Sequence, residues 1–185
     1  MTKRPPEAEP AAVAAYIDAA PEPARSRLLG LADAIRAEAP DAMERIADGL
    51  PDEVDRRLCA QVASCLQYDL PLHHHDEEEG LFPLLRARAK PEDGVDQILE
   101  RLAAEHSSDN DFASEIAEAL ETLGQGGRPA NPEMLGYMLR GFFERYRRHV
   151  HWENQLVMPL ARLRLTRDDL DQLAARLSEN RRHVS

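Results

Sequence analysis

The chain has 185 residues, 43% hydrophobic and 31% charged, a balance that suits a single domain over 1–185 and excludes both a disordered polar chain and a membrane-embedded one. Lys and Arg number 23 against 34 Asp and Glu, for a net charge of −11 at pH 7, and aromatic residues make up only 5%. Such a body repels phosphate and offers few stacking rings, so no nucleic-acid partner and no anionic membrane partner is expected.

The first ten residues are polar, with Pro5, Pro6 and Pro10 among the acids Glu7 and Glu9, and no apolar signal region follows. No run approaches the ~18 apolar residues that span a bilayer, so the reading is a cytoplasmic protein. A first helix is expected over about Ala11 to Ala37, broken near Pro21 and Pro23. Pro40, Gly49 and Pro51 mark a loop. A second helix should run from about Asp52 to Arg88, with Pro71 and Pro83 as kinks or ends. Cys59 and Cys65 lie in it, ~9 Å apart along the axis and on different faces, which makes them core thiols rather than a disulfide.

Pro91 opens a third helix, about Glu92 to Leu123, and the stretch from Gly124 to Pro129 is the clearest linker. A fourth helix is expected from about Pro132 to Leu163. Thr166 then reads as the N-cap of a last short helix, with Asp168 and Asp169 in its first turn. β-branched residues are sparse and no strand-length alternation stands out. The fold class is therefore all-α: an up-down-up-down four-helix bundle with short extra terminal helices.

One internal repeat dominates the pattern. His73, Glu77, Leu81, Pro83, Leu84, Arg86 and Arg88 are matched 76 residues later by His149, Glu153, Val157, Pro159, Leu160, Arg162 and Arg164. A single His with Glu four residues on is common, but two such pairs with one downstream pattern read as two related helical hairpins. Residues i and i+4 share a helix face, so each pair offers one imidazole and one carboxylate to the bundle axis. That donor mixture suits iron, manganese or zinc and disfavours calcium and magnesium, which take oxygen alone.

His106 joins the set because it and His149 stand nearly equidistant from the turn near residue 128, and so lie level across an antiparallel pair. The candidate metal ligands are His73, Glu77, His106, His149 and Glu153. His74 and His75 lie ~100° and ~200° round the helix from His73, so the three cannot all face inward. His74 with Glu78 repeats the spacing, but the 76-residue repeat selects His73 with Glu77. His151 and His183 should face away or lie in the tail. Asp76 and Glu79 read as a solvated acidic face.

The segments from Leu72 to Pro83 and from His149 to Asn154 resemble the paired signatures of hemerythrin-like HHE cation-binding domains of a bacterial branch, over about residues 52–182. The resemblance implies a four-helix bundle around a non-haem di-iron site, with the family motif falling on His73, Glu77, His106, His149 and Glu153. The family places a further metal-binding histidine in the first helix, whereas this chain has none before His73. Asp18 is the nearest ligand type at that level, with Glu22 one turn away. The expected site is therefore asymmetric, tighter near His106 and His149 and weaker near His73.

The function expected from this reading is iron binding with an open position for O2, NO or peroxide, or iron handling, with no catalytic residue assigned. The alternatives are a di-metal oxidase or peroxidase, and a helical interaction or stress-response protein with a degenerate site. The chain names no protein partner.

Overall fold

The computed structural model describes residues 41–182, which fold into five helices, with no strand among the described residues. The helix expected over Ala11 to Ala37, with Asp18 and Glu22, lies outside them, as does His183. Among the described residues, no helix is long and apolar enough to cross a membrane.

Helix α1 covers residues 41–49, where a loop was expected from Pro40 to Pro51. Ala42, Met43, Ile46 and Ala47 explain it: they recur at helical spacing and are all buried. The turn is confined to the few residues before Asp55, whose carboxylate caps the next helix by accepting from the Arg57 and Leu58 amides at 3.0 and 3.1 Å.

Helix α2 runs over residues 56–88 without a break. Its α-helical segments Arg56–Ser64, Leu70–Asp76 and Phe82–Arg88 are joined by π turns at Cys65–Asp69 and Glu77–Leu81. Pro71 and Pro83 were expected to kink or end the helix. Each instead sits one residue into the segment after a π turn, as Pro159 does after the π turn Glu153–Val157. Proline lacks the amide proton of the α-helical ladder and its ring crowds the carbonyl four residues back. A π turn admits one extra residue and relieves both conflicts while the rod continues.

A 3-10 turn at Pro91–Asp93 and Gly94, at φ 59°, lead into α3, Val95–Gly124. Asn131 caps α4, accepting from the Met134 amide at 3.0 Å. Helix α4 spans residues 132–164 as Pro132–Trp152, the π turn and Met158–Arg164. Helix α5, Arg167–Arg182, has 16 residues and is longer than the short helix expected.

Two apolar clusters fill the bundle. One joins α1, the first half of α2, the second half of α3 and the first half of α4, around Leu66, Leu120, Leu139 and Phe142. The other joins the end of α2, the start of α3, the end of α4 and α5, around Phe82, Leu99, Val157 and Leu173. Helix α5 therefore supplies at one end the fourth wall that α1 supplies at the other. Each fully buried Leu or Phe contributes about 1.5–3 kcal/mol.

The arginines that close the sequence repeat fasten this second end. Arg88 Nε and Nη2 both donate to Asp169 at 2.9 Å. Arg164 grips Asp93 in the same two-pronged way at 2.8 and 2.7 Å. Asp169 also accepts from the Thr166 amide at 2.9 Å and hydroxyl at 2.7 Å, closing the first turn of α5 as the sequence reading placed it. The Arg88 and Thr166 bonds hold the Asp169 carboxyl well below the usual carboxylate range. Asp169→Ala should therefore lower Tm by about 3–8 °C in a circular-dichroism melt, and Arg88→Ala by less, since its side chain is half exposed. Equal stability of Asp169→Ala and wild type would show that α5 docks by its leucines alone.

Candidate metal centre

Between the two apolar clusters lies a polar layer. His74, His106, Asp109, His149 and Glu153 are each no more than 3% exposed. Glu77 is nearly buried beside them, its side chain 13% exposed. Helix α2 brings His73, His74, Glu77 and Glu78; α3 brings Glu105, His106, Asp109 and Asn110; α4 brings Arg145, His149 and Glu153. Both glutamates of the sequence repeat open π turns, Glu77–Leu81 and Glu153–Val157.

The ligand atoms of Glu77, His106, His149 and Glu153 all lie within 4.8 Å of one another. His106 Nε2 is 3.2 Å from His149 Nε2 and 3.3 Å from Glu77 Oε2. His149 Nε2 is 2.8 Å from Glu153 Oε1. Neighbouring donors on one ion with bonds near 2.1 Å stand about 3–3.4 Å apart, so the three short separations are close to those of donors that share an ion.

The outward ring nitrogens are committed. His106 Nδ1 is 2.8 Å from Glu78 Oε1, and His149 Nδ1 is 3.2 Å from Glu105 Oε2. A carboxylate there fixes the proton on Nδ1 and leaves the Nε2 lone pair facing the centre, the arrangement metal-ligating histidines adopt. Arg101 in turn donates to Glu105 at 3.0 Å and lies 3.9 Å over the Trp152 ring.

Burial sets the charge state. It pushes His106 down to about 3, with the neighbouring His149 adding to the effect, and it pushes His74 down to about 2, helped by His106 and His73. Both are neutral at pH 7, as a metal ligand must be. Burial also opposes the charged form of His149, but the Glu153 and Glu105 bonds outweigh it and raise its pKa. The same His149 bond overcomes burial at Glu153 and holds that carboxyl below its ordinary value. Asp109 is raised by burial in spite of Arg145 beside it.

The structure thus brings together Glu77, His106, His149 and Glu153. His73, the fifth expected ligand, stands at the edge of this group, its Nε2 3.9 Å from Glu77 Oε1. His74 departs from its expected orientation: it is 2% exposed, and its ligand nitrogen lies within 4.8 Å of those of His106 and His149. Adjacent helical residues lie ~100° apart, so a helix can straddle the axis with each about 50° off it. His75 and His151 are exposed, as the geometry predicted.

Asp76, read as solvated, is 6% exposed and held by Arg181 and Asn180 of α5, each at 2.8 Å. Cys59 is buried and Cys65 half-buried, both as free thiols. The outer partners Glu78, Glu105 and Asn110 were not singled out for that role. The repeat of the His-to-Glu spacing at His74 and Glu78 was the one signal that pointed to any of them.

Comparison with curated proteins and with solved structures gave no significant match. The family model of the hemerythrin HHE cation-binding domain matches residues 26–161. The match begins earlier than residue 52, taking in α1, and it ends within α4, leaving the α5 wall outside. A match over most of the chain, centred on helices that carry the histidines and glutamates of the buried layer, shows that the chain belongs to the hemerythrin HHE cation-binding domain family.

Proposed function

We propose that the protein is a non-haem iron protein whose centre holds up to two iron ions and serves to bind or sense O2, NO or peroxide, or to handle iron. The observation that supports this most is the meeting of inward imidazole nitrogens with the Glu77 and Glu153 carboxylates in one dry layer. Mixed nitrogen and oxygen donors favour iron, manganese or zinc over calcium or magnesium. Glu77, His106, His149 and Glu153 would hold one ion, and His73 beside Glu77 is the donor nearest to a second. When bound, iron supplies a redox-active Lewis acid with a position open to a small ligand.

The chain's own residues prepare that chemistry. Glu78 and Glu105 hold protons on the outer nitrogens and keep both imidazoles aimed inward. Phe82 lies along His106 at 5.8 Å between ring centres, and Tyr146 along His149 at 6.0 Å, so aromatic faces exclude water from the layer. Charge in such a layer is costly unless opposed, which favours cations among the two carboxylates.

The test is to load the metal-free protein anaerobically with ferrous iron, remove excess by gel filtration, count the iron and add NO. One to two irons per chain should be retained, and NO should produce new visible absorption. Loss of all iron on the column would defeat this reading, and an iron-loaded protein blind to NO, O2 and peroxide would defeat the ligand-binding role and leave iron handling.

A further inference from the structure

We propose that α5 sets how firmly the centre holds its metal: Arg176, Asn180 and Arg181 are positioning residues that fix the π turn carrying Glu77 and Glu78. The inference rests on the metal-centre reading above and deepens it. It concerns a helix beyond the family match, which ends at residue 161.

The π turn Glu77–Leu81 brings carboxylates to both nitrogens of one buried imidazole. Glu77 Oε2 is 3.3 Å from His106 Nε2, and Glu78 Oε1 is 2.8 Å from His106 Nδ1. Two neighbouring side chains that meet one ring leave their backbone little freedom to shift. Yet this backbone is weakly held by its own helix. The Phe82 amide reaches back five residues to the Glu77 carbonyl, outside the α-helical ladder. Pro83 then has no amide proton for the Glu79 carbonyl four residues back.

Helix α5 holds the turn on both flanks of the two glutamates. Before them, Asp76 is 6% exposed and accepts from Asn180 Nδ2 and Arg181 Nη1, each at 2.8 Å. After them, Arg176 Nη1 donates to the Glu79 carbonyl at 2.8 Å, supplying the proton that Pro83 lacks. Gly80 is buried, and a Cβ there would stand 2.8 Å from Leu173 Cδ1, so α5 lies directly on the turn. Asp76, Glu79 and Gly80 are thereby fastened to α5 while Glu77 and Glu78 reach His106. When α5 loosens, the turn shifts and Glu77 loses its place at the ion.

Charge and position predict opposite results here. Arg176 and Arg181 are cations, and removing them makes the surroundings of a bound cation more negative, which by Coulomb attraction alone would retain it longer. Positioning predicts faster loss.

Cobalt(II) is the probe, loaded at one equivalent into the metal-free full-length chain and followed by its visible absorption after excess EDTA is added. Arg176→Ala/Arg181→Ala should lose cobalt about tenfold faster than wild type, with shifted cobalt bands before EDTA is added. Arg176→Ala alone, at an exposed side chain that the fold does not need, should change both in the same direction. Arg176→Lys/Arg181→Lys keeps a donor at each place and should return the rate toward wild type. Asp169→Ala loosens α5 at its other end, away from the turn, and should stay within about twofold of wild type although its Tm falls. Arginine variants that lose cobalt at the wild-type rate or more slowly would overturn the proposal. Asp169→Ala as fast as the double arginine variant would show that α5 acts through stability alone and would also overturn it. Wild type that retains no cobalt would sink the metal-centre reading itself, and this proposal with it.

Discussion

His149→Ala should abolish tight metal binding, by at least about 100-fold, and should also lower the Tm of the metal-free protein by about 5–10 °C. The first effect follows because His149 belongs to both groups of ligand atoms that the buried layer forms. The second follows from Glu153, which is 3% exposed and depends on His149 Nε2 at 2.8 Å. With the imidazole gone, Glu153 loses the partner that does most to offset burial and keeps only the weaker help of His73 and Glu77, and breaking a buried pair from one side costs about 3–5 kcal/mol before the site relaxes. Removing both partners should behave differently. The double variant His149→Leu/Glu153→Leu leaves no orphaned charge and should regain most of the lost Tm while still binding no metal. Melts of the chelated proteins beside iron counts separate the two effects. A double variant as unstable as His149→Ala would mean that packing, not the stranded carboxylate, dominates.

The helical class was legible because the signals are local. The Asn131-Pro132 start of α4, the Thr166 cap and the glycines after α3 all act within a few residues of themselves. Pro71 and Pro83 misled because proline's penalty is written for an α-helix, and a π turn removes the conflict without ending the rod. Residues 41–49 were read as loop because Pro40, Gly49 and Pro51 outweighed a four-residue apolar stripe. That stripe is helical because α2, α3 and α4 offer it a partner. Tertiary burial decided there, and it is invisible to a local rule.

The site was legible where repetition carried it and illegible where only burial did. The 76-residue repeat finds Glu77, Glu153 and His149, and the level-across-the-turn argument finds His106. His74 was turned away because the 76-residue repeat selects His73 with Glu77. Asp76 was given to solvent because a run of four acids is ordinarily a wet face. Neither error could be repaired from spacing, since the first depends on how α2 is rotated in the bundle and the second on α5 bringing Arg181 and Asn180 to Asp76.

The metal-free protein should lose stability steeply between pH 6.5 and pH 5, well above the range where carboxylates titrate. Burial lowers His74 to about 2 and His106 to about 3, whereas both take up protons near 6.5 when the chain unfolds. Below 6.5 the unfolded chain therefore binds protons that the folded one refuses, and each group removes about 1.4 kcal/mol of stability per pH unit. His149 has the opposite sign. Its raised pKa gives stability that is fully present below 6.5 and lost as pH rises through the folded value, so it does not relieve the acid side. The lowered carboxyls of Asp169 and Glu153 stabilise the fold above the ordinary carboxylate range and lose that contribution only as pH falls through their folded values. Two histidines over this window cost on the order of 2–4 kcal/mol, so Tm in excess chelator should fall by about 5–15 °C from pH 7 to pH 5. Urea melts at several pH values give the linkage slope directly, and it should approach about two protons taken up per molecule unfolded near pH 5. His74→Leu should reduce that slope to about one, because only His106 then titrates in this way. A flat stability profile between pH 7 and pH 5 would mean that the folded protein does not hold His74 and His106 neutral over that range.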